Sequence, residues 1–315
     1  MRMTPTSHGR PQKVVDTTTS GREGHTSHRA AAVSLLLFLF AFFFLPSLSA
    51  QTQTAYEELC LRAYRAAELD SLAAAIDYLR IAIETEEENP RNAILYAKIG
   101  ALQRRRQLYP EALDAYQTAL ELAPLATSIM MERASLNLEL GRLEAARDDY
   151  SEVIRLENDN PKALFARAYI HMQLHDYRLA RTDYRHFLRL NPFSYSGRLG
   201  LATLERRAGN PQDALAILDR MIVQSQDTEH ETDAERAALY TVRAGVEMDL
   251  DMLDAALLDL EIALQKDGTQ AEAYLIRGQI HLAQQKKTQA HDDFEQAIRL
   301  GIPREEMTDL LQQCR

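Results

Sequence analysis

From about residue 55 to the C-terminus, apolar residues recur every three or four positions, and short polar breaks carrying Gly, Asn or Pro separate these stretches. That spacing predicts a succession of amphipathic helices. The breaks, among them Gly141-Arg142, Asn160-Pro161 and Gly209-Asn210-Pro211, are residue types that stop helices. No stretch alternates with period two, so the chain reads as all-α. The pattern is itself periodic. Counted from Pro161, Ala180, Tyr184 and Pro192 occupy positions 20, 24 and 32; counted from Ala93, so do Ala112, Tyr116 and Pro124. Self-similarity at this spacing marks a repeat array. In such an array each unit packs only on its neighbours, and the product is an extended surface rather than one deep core.

Three units run without a gap, Ala93–Ala126, Thr127–Asn160 and Pro161–Ser194. A divergent fourth begins at Tyr195, two more lie at Ala237–Gln270 and from Ala271 onward, and a weak first unit covers Tyr56–Asn89. The unit resembles the tetratricopeptide repeat at its 34-residue period. The resemblance implies a right-handed all-α solenoid of about seven helix-turn-helix repeats. Its expected parts are repeats 1–5 over residues 56–228, an acidic insertion or hinge at 229–236, repeats 6–7 over 237–302, and a capping helix at 303–315. Physics accounts for the residue types: small side chains at positions 8 and 20 let paired helices approach to about 8–10 Å, and a large one at position 24 fills the space beside them.

A second pattern pairs Arg at position 7 with Asp at position 23: Arg133 with Asp149, Arg167 with Asp183, Arg243 with Asp259, and Arg277 with Asp293. Each pair is symmetric about the turn, so the partners are expected to meet across their own hairpin as structural ion pairs. Where one partner is lost the other is too, as in Ile99 with Ala115 and Leu201 with Ile217, in keeping with the penalty on a lone buried charge. The first unit departs from this rule, with Arg62 opposite Tyr78.

The N-terminus has another character. A polar leader precedes Ala30–Leu45, a run that is apolar but for Ser34, and Pro46-Ser47-Leu48-Ser49-Ala50 follows. Sixteen residues fall short of the roughly 20 that span a bilayer. The order suggests a polar leader plus signal peptide over residues 1–50, its signal part at 29–50, cleaved after Ala50. An uncleaved membrane anchor is the alternative. Cleavage would take away five basic and two acidic residues and move the net charge from −10 to −13. So acidic a body disfavours nucleic acid. The two cysteines, Cys60 and Cys314, sit at opposite ends of the array, beyond disulfide reach of each other.

Candidate chemistry is sparse. His171 and His175, four apart, have the spacing of a helical metal pair, but lack the Glu of a metalloprotease motif and a third ligand. No Gly-rich phosphate loop, Cys-x-x-Cys or nucleophile elbow is present. The sequence therefore predicts neither an enzyme nor a cofactor or metal site. The family resemblance implies that the first helix of each repeat lines a concave groove through positions 2, 5, 9, 12 and 13. These are Ile94, Ala97 and Ala101; Met131, Ser135 and Leu138; Phe165, Tyr169 and Met172; and Leu199 and Thr203. Arg104, Arg105, Arg206 and Arg207 would form its rim. The expectation is an exported scaffold of the periplasm or cell envelope that holds a protein or peptide segment. Membrane contact would follow only from an uncleaved apolar segment. A membrane-anchored subunit that self-assembles into homo-oligomers is the rival expectation.

Overall fold

The computed structural model describes residues 55–225 and 232–315; the leader, the apolar run at 30–45, the cleavage point and part of the insertion lie outside them. The described chain is helical throughout. Helix α1 spans residues 55–68, followed by α2 (Leu72–Thr85), α3 (Asn92–Arg105), α4 (Tyr109–Leu122), α5 (Thr127–Glu139), α6 (Leu143–Leu156) and α7 (Pro161–Gln173). Then come α8 (Tyr177–Leu190), α9 (Tyr195–Arg207), α10 (Pro211–Ser225), α11 (Asp233–Asp249) and α12 (Leu253–Lys266). The chain ends with α13 (Ala271–Ala283), α14 (Lys287–Arg299), a single 3-10 turn at Arg304–Met307 and α15 (Thr308–Gln313). No helix among the described residues is long and apolar enough to cross a membrane.

Consecutive helices pair into seven hairpins, and each hairpin packs on the next. First helices of successive hairpins also touch, α3 with α5, α7 with α9, α9 with α11 and α11 with α13, whereas second helices meet less closely. The array is therefore a solenoid that curves with its first helices on the inner face.

Every hairpin turns in the same way. Position 15 is left-handed in all seven: Asp70, Gln107, Gly141, His175, Gly209, Asp251 and Gln285 have φ between 56° and 80°. A left-handed residue at this point ends a helix by letting the next amide reach back to its carbonyls. At Gly141, for example, the following Arg142 amide donates to the Asn137 carbonyl at 2.8 Å. Only two of the seven are glycine. The hairpin interior follows the small-against-large rule. A Cβ on Gly278 would come within 2.5 Å of the buried Phe294 ring of the same hairpin, so the helices close up only because the side chain is missing.

Two expected boundaries shift. The insertion contributes a helical turn, since α11 starts at Asp233 behind a capping box in which Thr232 and Glu235 satisfy each other's backbone. His175 falls outside α7, which ends at Gln173. At the C-terminus, the buried Met307 packs into a cluster with Ala290, Phe294 and Ala297, and Leu310 and Leu311 of α15 cover it.

Candidate interaction surface

The Arg–Asp pairs are built alike. Arg133 donates from Nε to Asp149 at 2.9 Å, and Arg167 donates through two nitrogens to Asp183 at 2.7 and 2.8 Å. Arg243 does the same to Asp259 at 2.6 and 2.8 Å, and Arg277 reaches Asp293 at 2.6 Å. All four carboxylates are buried. A planar guanidinium satisfies such a carboxylate through two parallel bonds. Three of these arginines also turn toward position 25 of the preceding repeat: Arg133 bonds Gln117, Arg167 bonds Ser151 at 3.2 Å, and Arg243 bonds Asp219 at 2.9 Å. One side chain thus closes its own hairpin and fixes it in register with the one before.

Position 11 carries a further polar series that periodicity alone did not single out: Gln103, Asn137, His171, Glu205 and Glu247 are all buried. Glu205 is satisfied by Arg181, 2.5 Å away in the repeat before, and by Asn210. Glu247 lacks such a partner. Its nearest cation, Arg243, is 3.8 Å away and already shared by Asp259 and Asp219, and one carboxylate oxygen makes no hydrogen bond. Burial, reinforced by the Asp259 charge, pushes the Glu247 carboxyl up to about 7. His171 is likewise buried and, mainly by desolvation, resists protonation. His175 instead bonds the Tyr177 hydroxyl from the exposed turn, so the two imidazoles sit in different environments. Among the described residues no cluster of three potential ligands could hold a metal ion.

The inner face differs from the groove that the family pattern implies. Met172 is buried with Ala168, Ala180, Tyr184 and Leu204, and belongs to the core. Phe165 turns into its own hairpin, edge-on to Tyr184 at 5.8 Å and tilted against Phe187 at 5.2 Å. Met131 and Leu138 pack in part on the central cluster, and Leu199 on the one after it. Ser135 accepts a bond from Arg104, and Thr203 lines a polar recess with Arg206 and Arg207. Tyr169 stays exposed, as does Ile94 on α3. The rim arginines are engaged within the molecule. Arg104 holds Glu139 at 2.6 Å and Arg206 holds Asp249 at 2.6 Å, each reaching from one inner helix to the next but one in the chain. Arg105 reaches Asp70, and Arg207 reaches Gln173.

The apolar opening on this face lies instead at its N-terminal end. Ala63, Tyr64 and Ala67 of α1 and Ala101 and Leu102 of α3 enclose about 320 Å³ over a floor that includes Leu79, with Lys98 and Arg105 beside it and Cys60 in its wall. Of its lining, Ala101 is among the groove residues expected from the sequence, whereas the α1 residues are not, because the first repeat carries the weakest signal. The exposed Tyr64, at position 9 of that repeat, is the residue that would have indicated it.

A chain of helical hairpins stacked in this way, with side chains bridging repeats, is an α-solenoid. The family profile described as Tetratricopeptide repeat matches residues 96–161, 165–228 and 242–304, and the chain belongs to that family. It is similar to the crystal structure of a tetratricopeptide repeat protein from Parabacteroides merdae ATCC 43184, with 31% identity and a TM-score of 0.67, over 83% of this chain and 99% of that one. The pilF protein of Pseudomonas aeruginosa is similar in fold, with 15% identity and a TM-score of 0.54, over 73% of this chain and 99% of the other. A Drosophila melanogaster BBSome complex member, the BBS4 homolog, is 27% identical over 123 residues, 38% of this chain. The match spans about a quarter of that relative's length.

Proposed function

We propose that this protein is an exported, non-enzymatic scaffold of a bacterial cell envelope that holds a segment of a partner protein along its inner face. The observation that supports this reading most is the apolar opening between α1 and α3. A partner's large apolar side chain would seat between Tyr64 and Ala101, and the segment would continue past Ile94 toward Tyr169. Concave, mostly apolar sites with a few polar groups at the edge are the usual shape of a recognition site. The apolar run at 30–45, followed by small residues up to Ala50, supports export. Membership in a multi-subunit complex, which the Drosophila relative's name records for that protein, is in keeping with a scaffold.

Cys60 provides the test, since it lines the opening. Its alkylation by a maleimide should slow when envelope extract is added to the purified chain, and Ala101→Trp, which fills the opening, should abolish the protection. Alkylation at one rate with and without extract overturns the inner-face reading. N-terminal sequencing of the protein from fractionated cells addresses export. A soluble envelope form beginning at Gln51 is expected, whereas membrane-bound protein that retains residues 30–45 supports an anchored, self-assembling subunit.

A further inference from the structure

The fifth hairpin breaks the Arg–Asp pattern, and on the outer face the break leaves a cavity. Leu201 and Ile217 replace the ion pair there, and they line about 300 Å³ of open space between α8 and α10 together with Leu188 and Phe193. The same replacement in the second hairpin has another result: Ile99 and Ala115 are buried inside a closed cluster. The opening is therefore not a necessary consequence of losing the pair. At its edge Phe193 is 82% exposed, an unusual state for so large an apolar side chain.

The surroundings are basic in an acidic molecule. Arg198 and Arg220 line the cavity, and Arg185 and Arg189 stand exposed on α8 around Leu188. Arg185 holds position 25, where Gln117, Ser151 and Asp219 accept a bond from the next repeat's arginine. Here that arginine is Leu201, so Arg185 has no such link to make. The acids nearby are engaged elsewhere, Asp183 by Arg167 and Asp219 by Arg243. Among the described residues none of Arg185, Arg189, Arg198 and Arg220 has an ion-pair partner, although the full chain carries a net charge of −10. The Nε of Arg198 is also buried without a hydrogen bond.

From this geometry we infer a second docking site, on the outer face, for an acidic peptide segment that places one large apolar side chain beside Phe193 and its carboxylates against Arg198 and Arg220. Charge complementarity selects this occupant: the cavity rewards apolar burial, and four arginines without an ion-pair partner, of which Arg198 bonds Gln224 and the Phe193 carbonyl and Arg220 bonds the Ala216 carbonyl, favour anions around it. The site is separate from the inner face and does not depend on it.

The test is selection of a random phage-displayed peptide library on the full chain, with counter-selection on Phe193→Ser/Arg220→Glu. Both side chains are exposed, so that variant is expected to keep its helical circular dichroism and melting temperature. Enriched peptides should carry a Phe, Leu or Ile flanked by Asp and Glu. A synthetic copy should lose about tenfold or more in affinity against Arg220→Glu alone, and should also weaken as salt is raised. Peptides that bind the double variant equally well, or that are neutral or basic, overturn the inference. So does binding of phosphatidylserine vesicles that the double variant loses while no peptide is enriched, because the patch would then be a membrane contact.

Discussion

At the scale of single residues, the least satisfied group in the array is Glu247. Its counterpart Glu205 has Arg181, but the equivalent place beside Glu247 carries Leu215, and Arg243 is divided among three carboxylates. With its folded carboxyl at about 7 against the ordinary 4.5 of a glutamate, Glu247 keeps a proton in the folded state that the unfolded chain releases. Stability from this group is therefore fully present below about pH 4.5 and is lost as pH rises through about 7. Glu247→Gln should leave stability at pH 4.5 nearly unchanged and raise it by about 1–2 kcal/mol at pH 8, as urea titrations at the two pH values would show. The turn position offers a second case. Gln107 and Gly141 hold the same left-handed backbone, and a Cβ on Gly141 would meet nothing, so the conformation alone sets the effect. Gly141→Ala should lower stability by about 1 kcal/mol, and Gln107→Gly should shift it less, because the relieved strain is offset by a freer unfolded chain. Thermal melts of the two variants measure both.

At the scale of the hairpin, energetics turn on whether the ion pair is whole. Asp183→Ala leaves the Arg167 guanidinium facing a buried gap and should cost about 3 kcal/mol. Arg167→Ile/Asp183→Ala, which reproduces the natural Ile99 and Ala115 arrangement, should cost less than half of that, and a double-mutant cycle by chemical denaturation gives the coupling directly. This pairing was legible in the sequence because it is a rule repeated at fixed spacing, as were the Gly278 and Phe294 contact and the helix order. The arginine's second bond to the repeat before was not legible, since its acceptor varies among Gln117, Ser151 and Asp219. Nor were the fates of Phe165 and Met172. The family pattern places their backbones toward the groove, but a long side chain can rotate into its own hairpin when neighbours such as Phe187 leave room. The apolar opening at Tyr64 was missed for the opposite reason: repeat signals are strongest where units are typical, and a terminal unit is atypical.

At the scale of the whole molecule, the insertion before α11 does not divide the stack. Arg206 on α9 grips Asp249 on α11, Arg243 on α11 grips Asp219 on α10, and the Tyr195 hydroxyl donates to the Glu235 carbonyl at 2.7 Å. Coupling of this kind is nearest-neighbour only, so the array behaves as a one-dimensional chain whose ends are its weakest points. The C-terminal end depends on one side chain. Met307 is buried between Phe294 and the α15 residues Leu310 and Leu311, which cover the last hairpin. Met307→Ala should remove about 2–4 kcal/mol from the local stability of that end. The effect should stay there: amide exchange in α13 and α14 should quicken by orders of magnitude while protection in α3–α8 holds, because the helices pack chiefly on their neighbours in the stack. Exchange that quickened equally along the array would mean that the seven hairpins unfold as one unit, and both proposed docking surfaces would then share a single stability rather than be tuned repeat by repeat.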